Sequence, residues 1–258
     1  MWGHELPVPE ALRPWVSDVR GITASADQPV LTHLPNTSTA LVYRAFDDGE
    51  GEVMVVGPRT HALYHPGKYV PFGIRIRIRP SRAPLLLGVP VSELVDQVVP
   101  LNALWGTPGQ RLSGELTELG FDPSLVLKRI EAELLVRLSH ATASDLSRSD
   151  LVRSAVVGLS ASTGAQPERV HTIAGRLGIS ERHLRNLFNR AVGVSPKRFV
   201  SIDRVRTILA RAHTDPWARL AVDAGYYDQS HLTAEFRKAM GVPLSSFVAG
   251  RLPTPTLC

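Results

Sequence analysis

The sequence predicts an α+β chain: a small antiparallel β-barrel or sandwich followed by helices, then an all-helical C-terminal part. Three observations predict it. Short apolar segments between turn residues dominate the first 110 residues, which hold thirteen of the twenty prolines. Phe72–Arg79 alternates Phe72, Ile74, Ile76 and Ile78 with Gly73, Arg75, Arg77 and Arg79, the period of a half-buried strand. From residue 151 onward apolar residues recur at helical spacing, and the pattern repeats itself.

Composition bounds the rest. With 43% hydrophobic and 21% charged residues, 258 residues can bury a sizeable core. No apolar run approaches the ~20 residues of a membrane span, and Met1–Glu5 lacks the basic-then-apolar order of a signal peptide. The single cysteine, Cys258, excludes a disulfide framework and a multi-cysteine zinc site, so a cytoplasmic, reducing home is expected. Charge is uneven. Residues 160–258 carry 14 Lys+Arg against 7 Asp+Glu, whereas the whole chain carries 29 against 24. A basic C-terminal block points to a polyanionic partner, although 25 of the 29 cations are arginines, as a GC-rich genome also produces.

In chain order, Ala40–Phe46 reads as a strand closed by Asp47-Asp48-Gly49, Glu52–Val56 as a second ending at Gly57-Pro58, and Thr60–His65 as a third ending at Pro66-Gly67. Spacing turns helical from about Val91. Asp122-Pro123 is a helix start, an acidic N-cap before proline, and Leu127, Ile130, Leu134, Leu135 and Leu138 then form one apolar stripe. That stripe suits core packing first and a dimer interface second. Ala141–Asp150 is small, polar and serine-rich, the composition of a linker. A division near residue 147 is expected: 1–147 a β-rich unit with a helical end, 148–258 a helical unit with breaks at Gly164, Gly178, Gly193, Gly225 and Gly241.

The helical unit is duplicated. Ser180–Val194 aligns with Asp228–Val242 at an offset of 48, matching His183 to His231, Leu184 to Leu232, Phe188 to Phe236 and Gly193 to Gly241. Upstream the offset is 47, matching Ala174 to Ala221 and Gly178 to Gly225, so the second turn holds one extra residue. Each copy reads as helix, glycine turn, and second helix capped by Ser180 or Asp228: a helix-turn-helix. Leu184, Leu187 and Phe188 face Ala174 and Leu177, leaving Arg182, His183, Arg185, Asn186 and Asn189 outward. The second copy turns out Gln229, Ser230, His231, Thr233, Arg237 and Lys238. Long cationic and amide side chains of this kind reach base edges in a major groove, while Arg190, Lys197, Arg198 and helix N-termini suit phosphates. Pro196–Ala212 joins the copies as one helix with a buried stripe of Phe199, Ile202, Val205, Ile208 and Leu209, about 25 Å long.

Ile173–Phe199 and Gly225–Val242 resemble the two halves of the AraC/XylS family of bacterial transcriptional regulators. The resemblance covers about residues 150–251. It implies a seven-helix DNA-binding domain in which Arg182, His183, Arg185, Asn186, Asn189, Gln229, Ser230, His231 and Thr233 face double-stranded DNA. Two features depart from the pattern. Gly241-Val242-Pro243 brings its proline one place earlier than Gly193-Val194-Ser195-Pro196 does. Glu181 is acidic beside expected phosphates, where it accepts from a cytosine amine, favours the helix N-terminus or faces solvent. Gly73–Gly106 resembles a β-rich domain of poorly defined function found before such DNA-binding domains. In the family this position senses an effector or dimerises.

Other chemistry is thinner. His33, His61 and His65 lack metal-ligand spacing and read as surface or hydrogen-bonded histidines. Arg75, Arg77 and Arg79 could take an anionic effector, but a solvated strand face guarded against edge pairing is the simpler account. The family's domain also occurs in alkyl-transfer repair enzymes with cysteine nucleophiles, and this chain has no internal thiol, so no enzyme activity, catalytic residue, metal or cofactor is expected. Two regulatory readings follow: control by a small-molecule effector of unknown chemistry at 1–147, or effector-independent regulation in which 1–147 only forms a homodimer or docks a protein. An activator would also meet RNA polymerase, and no membrane partner is expected.

Overall fold

The computed structural model describes residues 2–25, 30–67, 69–160 and 167–255. Gly164 and Cys258, read above as a helix break and the lone thiol, lie outside these residues. Eight strands are present among them: β1 (Trp2–Leu6), β2 (Val16–Ala24), β3 (Leu31–His33), β4 (Thr39–Ala45), β5 (Gly51–Val56), β6 (Leu63–His65), β7 (Val70–Ile78) and β8 (Val98–Pro100). Six form an antiparallel sheet in the order β1-β2-β7-β4-β5-β8, and β3 pairs with β6 separately. The sheet stays open, so the barrel alternative does not hold.

The alternation in β7 buries Ile74, Ile76 and Ile78, as their period requires. The opposite face departs from expectation. β7 is a central strand, pairing with β2 through Ile76↔Val19 and with β4 through Ile76↔Leu41, so its arginines guard no edge. Arg75 and Arg77 instead converge on Asp18 of β2, at 3.5 and 3.2 Å, and Arg20 joins them at 3.6 Å. Arg79 lies past the strand and donates to the Arg13 carbonyl. β2 shifts register between Val16 and Asp18 and again between Ile22 and Ala24. These irregularities put buried Val16 and Val19 three residues apart and erase the period-two signal.

Four helices close the apolar face of the sheet: α1 (Ala83–Leu87), α2 (Leu101–Trp105), α3 (Thr107–Glu118) and α4 (Pro123–Ser139). Asp122 caps α4 by accepting from the Ser124 and Leu125 amides. α4 buries Val126, Leu127, Ile130 and Leu134, whereas Leu135 of the expected stripe is 38% exposed. One core therefore runs from Leu12 to Leu134, with Leu138 packed on its margin. Tyr43 anchors it, its hydroxyl donating to the Leu116 carbonyl at 2.8 Å.

Seven helices follow: α5 (Ala143–Leu159), α6 (Val170–Arg176), α7 (Glu181–Val192), α8 (Pro196–Arg211), α9 (Trp217–Asp223), α10 (Gln229–Met240) and α11 (Leu244–Val248). The polar stretch expected as a linker is mostly the first half of α5. Thr142 and Asp145 form a reciprocal capping box there, so the Thr, Ser and Asp residues that suggested a linker start a helix. Two further cores form, one from Val152 to Phe199 around Phe188 and one from Val205 to Leu244 around Phe236. Burying each phenylalanine fully stabilises its core by about 2–3 kcal/mol. α8 supplies Phe199 to the first and Val205 and Ile208 to the second, which fixes the two relative to each other.

Candidate nucleic-acid interface

The duplication read from sequence is a duplication of hydrogen bonds. In the first turn Ile179 N–H donates to the Ala174 carbonyl at 3.1 Å, and in the second Tyr226 N–H donates to Ala221 at 2.9 Å. Gly178 and Gly225 adopt φ of +68° and +72° in these turns, a conformation glycine reaches without Cβ strain. The second helices start alike. The Ser180 hydroxyl accepts from the His183 amide at 3.2 Å, and the Asp228 carboxylate accepts from the His231 amide at 2.7 Å. They also end alike, Gly193 N–H donating to Asn189 and Gly241 N–H to Arg237, each at 2.8 Å.

The offset grows from 47 at Tyr226 to 48 at Asp228, which places the extra residue at Tyr227. Its side chain is 94% exposed, the most of any large hydrophobic residue described. An inserted residue with no counterpart in the first turn has no place in the shared packing and stands in solvent. The change of offset was the sequence signal for it, and Tyr227 was not singled out as functional. Tyr226, by contrast, fills the position of Ile179. The Arg204 guanidinium lies over its ring at 5.6 Å, and His231 meets it edge-on. Burial, with Glu235 beside it, pushes the Tyr226 phenol up and keeps it neutral.

On α7, Leu184 and Phe188 are buried while Arg182, His183, Arg185, Asn186, Asn189 and Arg190 are exposed. On α10, Leu232 and Phe236 are buried while Gln229, Ser230, His231, Thr233, Arg237 and Lys238 are exposed. Gln229, Ser230, Thr233, Ala234, Arg237 and Lys238 share one open face of α10. Arg185 is not free: its Nε donates to Glu181 Oε1 at 2.9 Å, one turn back. Lys197 and Ser195 at the start of α8 are exposed. Pro243 leaves α11 without the side-chain cap that Ser195 gives α8.

Arg198 alone among the candidate phosphate contacts is held elsewhere. Its Nη2 donates to the Thr60 carbonyl at 2.7 Å and lies 3.3 Å from His61 Nε2. The N-terminal half also grips the helical unit elsewhere. Ala62 N–H donates to the Ala239 carbonyl at 2.7 Å, and the Tyr64 hydroxyl donates to Met240 at the same distance. Arg206 of α8 donates to the Pro35 carbonyl. Arg82 reaches Ser149 and Asp150 of α5. Gly193 also sits where an added Cβ would come within 3.0 Å of Val91 and Val95.

His33 and His65 are partners of each other. Their Nε2 atoms are 2.6 Å apart, and His65 Nδ1 faces the Pro66 carbonyl at 2.7 Å. A carbonyl only accepts, so His65 carries a proton on Nδ1, and in the neutral ring its Nε2 accepts a hydrogen bond from His33 Nε2–H. Burial first, then Arg59, lowers the His33 pKa to about 4. Among the described residues no group of three or more His, Cys, Asp or Glu could hold a metal ion. No helix among them is long and apolar enough to cross a membrane.

Residues 173–250 match a family model described as a helix-turn-helix domain. The C-terminal unit contains a helix-turn-helix domain. Both duplicated turns and both exposed helices of this helix-turn-helix domain fall inside the match. Several solved structures are similar at low identity. An AraC-type transcriptional regulator from Chromobacterium violaceum shares 18% identity over 42% of this chain and 94% of its own, with a TM-score of 0.34. The C-terminal domain of AraT, a response regulator from Geobacillus stearothermophilus, shares 18% over 43% and 88%, with a TM-score of 0.31. ToxT from Vibrio cholerae shares 11% over 90% of this chain and 95% of its own, with a TM-score of 0.41. The curated proteins yield no match.

Proposed function

We propose that this chain is a sequence-specific DNA-binding transcriptional regulator in which residues 148–258 read double-stranded DNA and residues 1–147 set how they are presented. The observation that carries the reading is the pair of equivalent, capped helices turning polar and cationic side chains to solvent. Arg182, His183, Arg185, Asn186 and Asn189 on α7 and Gln229, Ser230, His231 and Thr233 on α10 read base edges. Arg190, Lys197, Arg237 and Lys238 meet phosphates, as do the amides at the Ser180 and Asp228 caps. Arg198 joins them only after leaving Thr60. The α8 helix, about 24 Å over its 16 residues, separates the two readers on one rigid element.

In vitro selection of random duplexes by the full chain tests this. The expected site is asymmetric, with two blocks about ten base pairs apart. Arg185→Ala is expected to cost about 1–3 kcal/mol and to relax preference at one base position. Binding without sequence preference, with a steep salt dependence alone, would refute sequence-specific reading.

Effector control is the second reading, and the bonds from Thr60, Ala62 and Tyr64 to α8 and α10 favour it. A ligand that shifts the segment of residues 60–65 moves the groups that hold both helices. Its test is a change in DNA affinity on adding metabolites to the full chain. The effector-independent reading expects no such change, and instead expects dimerisation or a docked protein to alter affinity.

A further inference from the structure

A cleft of about 300 Å³ opens where α1 and α4 of the N-terminal half meet α5 and α7. Its lining mixes two chemistries: Leu85, Val89 and Pro90 are apolar, and Arg137, His140 and Arg190 are basic. Among the described residues, neither Arg137 nor Arg190 has a carboxylate within ion-pair distance. Arg137 lies with its guanidinium carbon 4.1 Å from the centre of the Trp105 ring, which holds it in place without neutralising it. Burial pulls the Arg137 pKa down, and the charge of Glu133, one turn back on α4, offsets part of that. The one carboxylate on the rim, Asp145, is already engaged. It accepts from the Thr142 amide and hydroxyl and from Arg148 at 2.6 Å.

We infer that this cleft binds a small organic anion, a carboxylate carried on a compact apolar body. Guanidiniums from two different helices offer N–H donors to a carboxylate, and the apolar lining suits the remainder of the molecule. The volume lies at the small end of ligand sites, which run from about 300 to 1,000 Å³. Arg190 also belongs to the proposed phosphate contacts, so the inference deepens the effector reading by giving the effector a place and a chemical class. Binding is therefore measured without DNA, so that failure of the site and failure of DNA reading are separate results.

The experiment titrates the full chain with cyclohexanecarboxylate, its uncharged counterpart cyclohexylmethanol, and inorganic phosphate, following the Trp105 indole N–H by NMR. The acid is expected to saturate the shift at millimolar concentration or below, with the alcohol and phosphate each at least about tenfold weaker. Arg190→Gln, an exposed helix position that leaves folding intact, and Arg137→Gln are each expected to weaken the acid at least about tenfold. Equal binding of acid and alcohol overturns the anion assignment. Equal binding of acid and phosphate overturns the apolar half. An unchanged affinity in Arg190→Gln, or no saturable binding of the acid, overturns the site.

Discussion

Glu181→Gln separates the roles open to the one acidic residue at the start of α7. Glu181 and Arg185 pair across one helical turn with their side chains 42% and 47% exposed. A pair this open is worth about 0.3–0.5 kcal/mol. Glu181 also faces the helix N-terminus, which adds roughly 0.3–1 kcal/mol. Removing its charge should therefore lower stability by less than about 1.5 kcal/mol, or a few degrees in Tm for a chain of this size. DNA affinity should move the other way. Arg185 no longer has to leave a partner, which returns the pair energy. A carboxylate about 7 Å from a phosphate is repelled by about 0.6 kcal/mol in water, and salt screening takes part of that. The sum is about 0.6–1 kcal/mol, or binding about three- to fivefold tighter. Fluorescence anisotropy on the selected duplex at two salt concentrations measures it, with melting curves alongside. In the Arg185→Ala background the gain should shrink to the repulsion alone. Weaker binding by Glu181→Gln would refute the reasoning and show that Glu181 accepts from a cytosine amine, with the Glu181–Arg185 pair as the DNA-bound arrangement.

Further outcomes follow from the same contacts. Tyr64→Phe removes the donor to the Met240 carbonyl and should cost about 1–2 kcal/mol in urea unfolding, with faster amide exchange at the end of α10; unchanged exchange would show that the N-terminal half does not brace that helix. Ser180→Ala and Asp228→Ala each delete an N-cap bond and should each lower stability by about 1 kcal/mol; calorimetry reads both, and a loss in only one copy would break the equivalence of the two units. The His33 pKa lies near 4 against 6.5 for an ordinary histidine, so the unfolded chain takes up the proton first as pH falls. Its stabilisation is full above pH 6.5 and is lost down to pH 4, by about 3 kcal/mol in all. His33→Asn should flatten that part of the profile, and an unchanged slope would assign it to other groups.

The sequence by itself determined the elements held by short-range bonds. The caps at Asp122, Ser180 and Asp228, the glycine turns and the buried face of α7 are relations between residues a few places apart, and the repeat between α7 and α10 is the recurrence of such a local pattern. Even the insertion at Tyr227 was present as a change of offset. Tertiary structure decided whatever depends on distant partners. β2 was hidden because its register shifts against β7 break the alternation, and β7 proved central because β2 and β4, both upstream, pair with its two opposite edges. The Thr142–Asp145 box turned an expected linker into a helix start, since the same polar residues serve either end once a helix follows. Leu135 stayed outside because α4 packs against α1 and α3 with one face and leaves the other in solvent. Arg198 went to Thr60, and Arg137 and Arg190 came to one cleft, through pairings of 138 and 53 residues' separation that no local pattern encodes.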